Sequence, residues 1–551
     1  MVLVGRVLLL CHFDRDYYKN FVNSARATKQ TQRAIRGQIR DRNGFVLAIT
    51  TMKIDIGVDP YTTDLQKNRD KIDQLAVLLG KTSEEIMEYF RRETFIRQGK
   101  KQQLRWKKIA TIEDNDLYAR IMALDIKGVY GSRKNERIYP NNELASHVIG
   151  FVNKEGIAVS GVERFMDEFL RGQDGCLESE RDGKRKEVAL FRKTVIGTKN
   201  GAYVDLTIDL RVQTTVENAL ARTMAELKAK SGSVIVSDPT TGEILALCNA
   251  PTFDCNAYYR SEISHLRNRA ITDFYEPGSV FKIVPFSIAL QRGLFSLEQR
   301  FDCNQATFSY HGKTYNLPKD YTQFGQLSAV DVLRKSSNRG AAQIAILLGE
   351  RGLYHAARAF GFGSRTGYGF DGEVAGILPP VERWDSLTIT RLPMGHAIGA
   401  TPLQVHQAMG VIGSGGYLLE PKVIGRICDE NGETIIRAEP HIIRRVLNLD
   451  VAKKMREILS HPGNATSSIE GVKLAYKTGT SQKIIGKKYS SEHHISSCSG
   501  FFPAEEPRFL VTVVLDDPKM ANGGVAYGIR AAYPLLAEIA RTIIISKGLG
   551  H

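Results

Sequence analysis

A short stretch near the middle of the chain places a serine and a lysine three residues apart at the head of an apolar run. It reads Tyr275-Glu276-Pro277-Gly278-Ser279-Val280-Phe281-Lys282-Ile283-Val284-Pro285-Phe286. Proline and glycine just before an apolar run mark the beginning of a helix. Because residues three apart share one helical face, we expect Lys282 to lie beneath Ser279, on a helix too apolar to stay at the surface.

This placement would give the serine and the lysine a joint chemistry. Burial disfavours the charged form of a lysine, so the pKa of Lys282 should fall and leave a neutral amine beside the Ser279 hydroxyl. Such an amine can take the hydroxyl proton and activate the serine as a nucleophile. The helix N-terminus also offers a backbone N–H where an oxyanion would form. The alternative is a serine that caps the helix and a lysine that extends to water, and this segment alone favours neither.

A second polar triplet, Ser336-Ser337-Asn338, precedes another apolar run, which begins at Gly340. Taken alone, the triplet is more typical of a helix N-cap than of a catalytic group. Beside an activated serine, the Ser336 hydroxyl could pass a proton and the Asn338 amide could hold a substrate carbonyl. The triplet itself leaves both interpretations open.

A third triplet, Lys477-Thr478-Gly479, follows apolar side chains that alternate as in a β-strand. Gly479 has no Cβ, so another backbone can approach it, and an extended peptide could add itself there as a further strand. Lys477 would supply positive charge, and Thr478 and Thr480 would supply hydroxyl groups, to a terminal carboxylate. Alone, the triplet is more typical of a hairpin turn with a solvated lysine.

The order of the three motifs carries more information than any of them alone. The gaps between them leave room for an all-helical insertion and a return to the sheet. In this order, the constellation resembles the penicillin-recognising serine enzymes, which comprise the penicillin-binding proteins and the serine β-lactamases.

The flanking sequence resembles class B of the penicillin-binding proteins, and the likeness covers nearly the whole chain. The segments similar to that class lie at residues 36–44, 203–209, 241–247, 250–254, 268–273 and 401–404. Three further segments, at residues 137–140, 147–151 and 161–163, resemble the division-specific (septal) branch of the class.

The resemblance implies a peptidoglycan D,D-transpeptidase that cross-links stem peptides and is blocked covalently by β-lactams. The acyl-enzyme would form on Ser279, with Lys282 as the base. Ser336 would relay the proton to the leaving D-alanine, and Asn338 would hold the donor peptide. Lys477 completes the catalytic set.

The same resemblance implies how the donor peptide is held. Thr478, Gly479 and Thr480 would form the substrate-binding strand beside Lys477. The oxyanion would lie between the backbone N–H groups of Ser279 and Thr480. An amine of a second stem peptide would then attack the acyl-enzyme. The resemblance implies neither a metal nor a cofactor.

The fold implied by the resemblance is a multi-domain α/β chain. Residues 201–551 are expected to form the transpeptidase domain, an antiparallel sheet flanked by helices. Residues 13–200 are expected to form an elongated α+β pedestal of the class B dimerisation type. Residues 2–10 are apolar but about half as long as a membrane span, so residues 1–12 are expected to be the remnant of an N-terminal anchor. A short buried helix is the alternative for that segment.

The expected location and partners follow from the same likeness. The chain would be a single-pass protein of the bacterial inner membrane, held in the lipid bilayer by its anchor, with its catalytic domain in the periplasm or otherwise outside the membrane. Its partners would be peptidoglycan stem peptides, β-lactams, a membrane-embedded glycan polymerase and other division proteins. The alternatives are an elongation-type class B transpeptidase, a serine β-lactamase, a β-lactam sensor and a non-catalytic scaffold of the division complex.

Composition excludes less than the motifs do. The 551 residues carry a net charge of +15, which can attract nucleic acid or an anionic surface. No nucleic-acid motif accompanies the dispersed basic residues, so no nucleic-acid partner is expected. The seven cysteines are scattered, without metal-ligand spacing, which argues against a disulfide framework but leaves partial pairing open.

Overall fold

The computed structural model describes Tyr17 and residues 27–97, 99–181, 187–461, 468–486, 488–521 and 523–549. The expected anchor at residues 1–12, and Cys11 with it, lies outside these described residues. Within the described ranges, no helix combines the length and the hydrophobicity that crossing a bilayer requires.

The described strands, in chain order, are β1 (Ala27–Gln32), β2 (Ile39–Arg40), β3 (Val46–Val58), β4 (Thr94–Arg97), β5 (Lys100–Gln103), β6 (Lys107–Ile112), β7 (Val129–Ile138), β8 (Gly175–Arg181), β9 (Glu187–Ile196), β10 (Tyr203–Leu206), β11 (Ser231–Ser237), β12 (Ile244–Ala250), β13 (Arg300–Asp302), β14 (Thr307–Tyr310), β15 (Lys313–Asn316), β16 (Gln326–Ser328), β17 (Tyr417–Leu419), β18 (Ile424–Cys428), β19 (Thr434–Arg437), β20 (Ile442–Arg445), β21 (Ser468–Ile469), β22 (Val472–Lys473), β23 (Ala475–Ile485), β24 (Lys488–Phe502) and β25 (Phe509–Asp516).

The described α-helices are α1 (Arg69–Leu79), α2 (Ser83–Tyr89), α3 (Asn115–Ala123), α4 (Ser146–Ile149), α5 (Gly161–Phe165), α6 (Asp167–Leu170), α7 (Leu210–Glu226), α8 (Arg269–Thr272), α9 (Ile283–Gln291), α10 (Ala329–Arg334), α11 (Asn338–Ala359), α12 (Thr388–Arg391), α13 (Pro402–Gly413), α14 (Leu449–Leu459) and α15 (Gly528–Lys547). Short 3₁₀ turns cover Tyr258–Arg260, Ile263–Leu266, Gly278–Lys282, Val381–Arg383 and Leu392–Met394.

The chain folds into two compact units that interleave along the sequence. The described residues of the smaller unit lie up to Arg36, in Ala48–Ile138 and in Gln173–Lys199. The larger unit comprises Gly37–Leu47, Tyr139–Gly172 and the chain from Asn200 onward. The three contiguous domains expected from the sequence stay a prediction.

A five-stranded antiparallel sheet, in the order β12–β11–β25–β24–β23, organises the larger unit. Its strands are buried along most of their length because helices cover both faces. Helices α7 and α15 contribute to one apolar core, and α9, α11, α13 and α14 contribute to another. The predicted α/β fold, an antiparallel sheet flanked by helices, is confirmed.

The smaller unit contains antiparallel strand pairs and an apolar core of its own. Strand β3 pairs with β6 and β7, and β8 pairs with β1 and β9, in each case antiparallel. Helix α2 begins at a capping box, in which the Thr82 hydroxyl accepts from the Glu85 N–H while the Glu85 carboxylate accepts from the Thr82 N–H.

Two expectations about local structure need correction. The turn that carries Ser279 is a 3₁₀ helix over Gly278–Lys282, and the α-helix begins only at Ile283. The insertion between the first two motifs is not all-helical, because Arg300–Asp302 pairs with Gln326–Ser328 and a β14–β15 hairpin lies between them. The structure thus contains the expected helices and, in addition, short strands that no alternation of apolar and polar residues in the sequence predicted.

Candidate active site

The three motifs line one cavity of about 1050 Å³ in the larger unit. Its walls include every predicted site residue except Lys282, namely Ser279, Ser336, Asn338, Lys477, Thr478, Gly479 and Thr480. The serine comes from the 3₁₀ turn, the second triplet from the junction of α10 and α11, and the third from the edge strand β23. Residues that are far apart in sequence therefore meet at one cleft.

Lys282 lies beneath the cavity, with only 1% of the residue exposed. In a 3₁₀ helix, residues three apart eclipse each other, so the turn holds Lys282 under Ser279 more directly than an α-helix would. The Lys282 amine donates to the Asn338 side-chain oxygen at 2.7 Å, to the Ser336 hydroxyl at 3.2 Å and to the Ser336 carbonyl. The predicted burial of this lysine and its meeting with the second motif are both observed.

The electrostatic environment of Lys282 favours a neutral amine. Burial lowers the pKa of Lys282 well below its ordinary value, and the charge of Lys477 lowers it further, while Asp320 opposes these effects. Its three hydrogen-bond acceptors are uncharged, so none of them compensates a full positive charge as a carboxylate would. An amine in this state can accept a proton.

Lys477 is a second buried lysine on the opposite wall of the cleft. Its amine donates to the Ser336 hydroxyl at 3.0 Å and to the Thr478 carbonyl at 3.1 Å. Burial lowers the pKa of Lys477 to about 8. The Ser336 hydroxyl thus lies between two amines, 3.2 Å from that of Lys282 and 3.0 Å from that of Lys477.

The second triplet serves both interpretations that its sequence left open. Ser337 is the N-cap of α11, and its hydroxyl accepts from the Gly340 N–H at 3.0 Å. This cap places Ser336 and Asn338 on either side of it, facing the cleft. Ser336 adopts a φ of +60°, in the left-handed backbone region that residues other than glycine rarely occupy. Such strain is common where a side chain must point at a site.

Asp320 holds this triplet in place, and sequence reasoning missed it. Its carboxylate accepts from the Ser337 hydroxyl at 2.8 Å, from the Arg339 N–H at 3.3 Å and from the Asn338 N–H. The preceding Lys319 carbonyl accepts from the Asn338 side-chain amide at 2.9 Å. Asp320 stands in a polar loop without periodicity, so no signal in the sequence pointed to it.

Glycine backbones bring the serine turn against the edge strand. A Cβ on Gly479 would lie 2.6 Å from the Pro277 carbonyl oxygen, and one on Gly395 would lie 2.2 Å from that of Gly278. The absence of a Cβ at Gly479 therefore accommodates the serine turn, whereas the sequence suggested room for a substrate backbone. Strand β23 is nevertheless an edge of its sheet, as a peptide added as a further strand would need.

Glu276, three residues before Ser279, connects the serine turn to two other segments. Glu276 accepts from the Ala397 N–H at 3.0 Å and from the Tyr489 hydroxyl at 3.1 Å, and it lies 2.6 Å from the His396 ring nitrogen Nδ1. Burial and the charge of Glu276 raise the pKa of Tyr489 to about 12. These contacts join the turn, the loop after Leu392–Met394 and strand β24.

Cysteine chemistry plays no part in this geometry. Cys498 lies on β24 opposite Thr478, and it is fully buried. Burial raises the pKa of its thiol, so the sulfur stays protonated and unreactive, as the sequence suggested. All six cysteines among the described residues are free thiols.

Two family descriptions match the chain. The Penicillin binding protein transpeptidase domain matches residues 232–541, which is more than half of the chain. The Penicillin-binding Protein dimerisation domain matches residues 31–206.

Curated relatives align with nearly all of the chain. Stage V sporulation protein D of Bacillus subtilis is 29% identical over 520 residues, which are 93% of this chain and 78% of that protein. Peptidoglycan D,D-transpeptidase FtsI of Escherichia coli is 28% identical over 547 residues, which are 98% of this chain and 88% of that protein.

Solved structures of similar proteins share the fold over almost the full length. A peptidoglycan synthetase from Bifidobacterium adolescentis matches with a TM-score of 0.74 and 26% identity, covering 95% of this chain and 97% of that one. Penicillin binding protein 3 from Mycobacterium tuberculosis, complexed with aztreonam, matches with a TM-score of 0.69 and 25% identity, covering 94% and 97%. With the two matched domains, these findings show that the chain belongs to the class B penicillin-binding proteins, which are serine transpeptidases.

Proposed function

We propose that the chain is a peptidoglycan D,D-transpeptidase that cross-links stem peptides through an acyl-enzyme on Ser279. The observation that carries this proposal is the Ser336 hydroxyl, which lies within hydrogen-bond distance of the buried amines of Lys282 and Lys477 in the cavity lined by Ser279. A nucleophile, a neutral amine and a hydroxyl between two amines are the groups that acyl transfer requires.

In the first step, neutral Lys282 takes the proton of the Ser279 hydroxyl. The serine oxygen then bonds to the carbonyl carbon between the last two D-alanines of the donor peptide. The negative charge that develops on the carbonyl oxygen lies between the backbone N–H groups of Ser279 and Thr480. Loss of one such donor typically costs about 3 kcal/mol of transition-state stabilisation.

In the second step, the bond to the terminal D-alanine breaks, and its amine takes a proton through Ser336. The position of that hydroxyl, between the Lys282 and Lys477 amines, supports this relay. An amine of a second stem peptide then attacks the acyl-enzyme, loses a proton to the same groups and releases Ser279. Every proton is thus returned within one turnover.

The donor peptide would lie along β23, as an added strand. Asn338, which already accepts from Lys282, would hold a donor carbonyl through its amide. Lys477, Thr478 and Thr480 would bind the terminal carboxylate, beside Gly479. The Thr480 hydroxyl accepts from the Gly528 N–H at 2.9 Å, which leaves its own proton available for a ligand.

Replacement of Ser279 tests the nucleophile directly. Ser279→Ala should abolish labelling by a fluorescent penicillin, whereas Ser309→Ala, on the exposed strand β14, should label like the wild type. Intact-mass measurement and peptide mapping should place the wild-type adduct on Ser279. Persistent labelling of Ser279→Ala would contradict the assignment. An adduct that turns over in milliseconds, rather than lasting for hours, would favour a serine β-lactamase.

We further propose that the enzyme acts in cell division, anchored in the inner membrane with the catalytic unit outside, beside a membrane-embedded glycan polymerase and other division proteins. The likeness to a relative named FtsI and the division-type segments support this role. Depletion in the native cell should give filaments that fail to divide. Rounded cells that have lost their shape would instead favour the elongation branch.

A further inference from the structure

The walls of the active-site cavity carry an excess of positive charge. Among the described residues that line it, four side chains are cationic, and none is a carboxylate. The cations are Arg334, Lys335, Lys477 and Arg530. A concave surface of one sign concentrates ligands of the opposite sign, so this cavity favours an anionic ligand.

Two of these cations already have a defined partner or role. The Arg334 side chain donates to the Ile458 carbonyl at 3.4 Å, which ties it to the helix behind the wall. Lys477 donates to Ser336 and Thr478, where the donor's terminal carboxylate would bind. A single carboxylate at Lys477 would leave the remaining positive charge of the cavity uncompensated.

Lys335 and Arg530 form salt bridges with no carboxylate in the part of the chain that the structure describes. Lys335 directly precedes Ser336, on the wall formed by the second motif. Arg530 lies in the first turn of α15, two residues after Gly528, whose N–H binds the Thr480 hydroxyl. The two cations therefore belong to different walls, next to Ser336 and Thr480, and flank the path of the substrate.

We propose that Lys335 and Arg530 bind a second carboxylate of the donor, so that the enzyme selects stem peptides with a free acidic group besides the C-terminal one. The inference rests on the proposed function and narrows its substrate class. A planar guanidinium can bind both oxygens of a carboxylate, and the lysine adds a point charge from the other wall. Amidation of that acidic group would remove the attraction.

Two penicillins that differ only by one carboxylate provide the probe. Carbenicillin is benzylpenicillin with one added carboxylate on its side chain, and both should acylate Ser279. The second-order acylation rate of each drug is measured by intact mass, and their ratio is compared between variants. We expect Lys335→Gln and Arg530→Gln each to lower the carbenicillin-to-benzylpenicillin ratio about fivefold, and added salt to lower it in the wild type.

Matched controls remove the same charge elsewhere on the larger unit. The control variants are Arg541→Gln and Lys453→Gln. Arg541 lies on α15, as Arg530 does, Lys453 lies on α14, and neither residue lines the cavity. Both controls should keep the wild-type ratio. A ratio that is unchanged in Lys335→Gln and Arg530→Gln would overturn the second carboxylate site. Failure of both penicillins to acylate the wild type would instead overturn the proposed function, and this inference with it.

Discussion

Lysines in the cleft and lysines on the smaller unit have opposite electrostatic surroundings. Burial lowers the pKa of both Lys282 and Lys477. On the smaller unit, the Lys53 amine lies 2.8 Å from Glu136 and 3.3 Å from Glu113, and the hydrogen bond to Glu136 raises its pKa above the ordinary value. The partner and the solvent around a lysine, rather than the residue type, therefore decide whether it can act as a base.

The physical reason lies in what compensates the charge. A carboxylate offers a full opposite charge, which favours the ammonium form, while water screens the pair at the surface. The cleft lysines instead meet carbonyl and hydroxyl dipoles in a site from which solvent is largely excluded. Dipoles compensate only part of the cost of burying a charge, so the neutral amine gains there.

The largest effect is expected when the base is removed. Lys282→Ala should slow acylation of Ser279 by about 1000-fold, because no other group would take the hydroxyl proton. Lys53→Ala, the matched change on the smaller unit, should acylate at the wild-type rate. The measurement is the second-order rate of acylation by benzylpenicillin. Normal acylation of Lys282→Ala would show that the buried amine is not the base.

A smaller effect is expected from pH, through Lys477. Attraction of the substrate carboxylate needs the charged amine, so acylation should decline as pH rises through about 8, the pKa of Lys477. In the lower pH range the rate should increase with pH, because Lys282 loses its proton there. The two effects together give a bell-shaped profile. In Lys477→Met the remaining activity should lack the decline near pH 8. A variant that keeps this decline would assign it to another group.

The same pKa predicts how stability varies with pH. Above about pH 8, the folded chain no longer holds the Lys477 proton, whereas the unfolded chain keeps it up to about pH 10.5. Because the unfolded state then binds more protons, the free energy of unfolding should rise with pH across this window. Urea titrations at both ends of the window should show a smaller rise in Lys477→Met than in the wild type.

A smaller effect than that of Lys282→Ala is expected from replacing Asp320, which binds the second motif. Asp320→Ala leaves the Ser337 hydroxyl and the Asn338 N–H without their acceptor, so the free energy of unfolding should fall by about 2 kcal/mol. Acylation should slow as well, because Ser336 and Asn338 lose their fixed position. Glu350→Ala, at a half-buried position of α11 where the carboxylate lies 3.6 Å from the Lys313 amine, is the control and should change neither quantity by a comparable amount.

Parts of the cleft also differ in how well the sequence predicted them. The burial of Lys282 depends on its neighbours within one helical turn, so the apolar context predicted it, although that segment alone did not decide between a catalytic pair and a helix cap. Asp320 binds residues 17 to 19 positions further along the chain, beyond β16 and α10, through contacts that no periodicity encodes. The 3₁₀ geometry of the serine turn depends on packing against Gly479 and Gly395, which only the folded chain brings together.

The smallest effect should come from Lys53 on the smaller unit. In Lys53→Met the amine no longer meets Glu136 and Glu113, yet water and salt screen such a pair, so the free energy of unfolding should fall by only about 0.5 kcal/mol. The raised pKa means that this contribution is complete below about pH 10.5 and is lost as pH rises through the folded-state value. Urea unfolding of the wild type and of Lys53→Met in low and high salt tests the claim. A loss as large as that of Asp320→Ala, or one that salt leaves unchanged, would show that the pair is not screened and that the contrast with the cleft has a different cause.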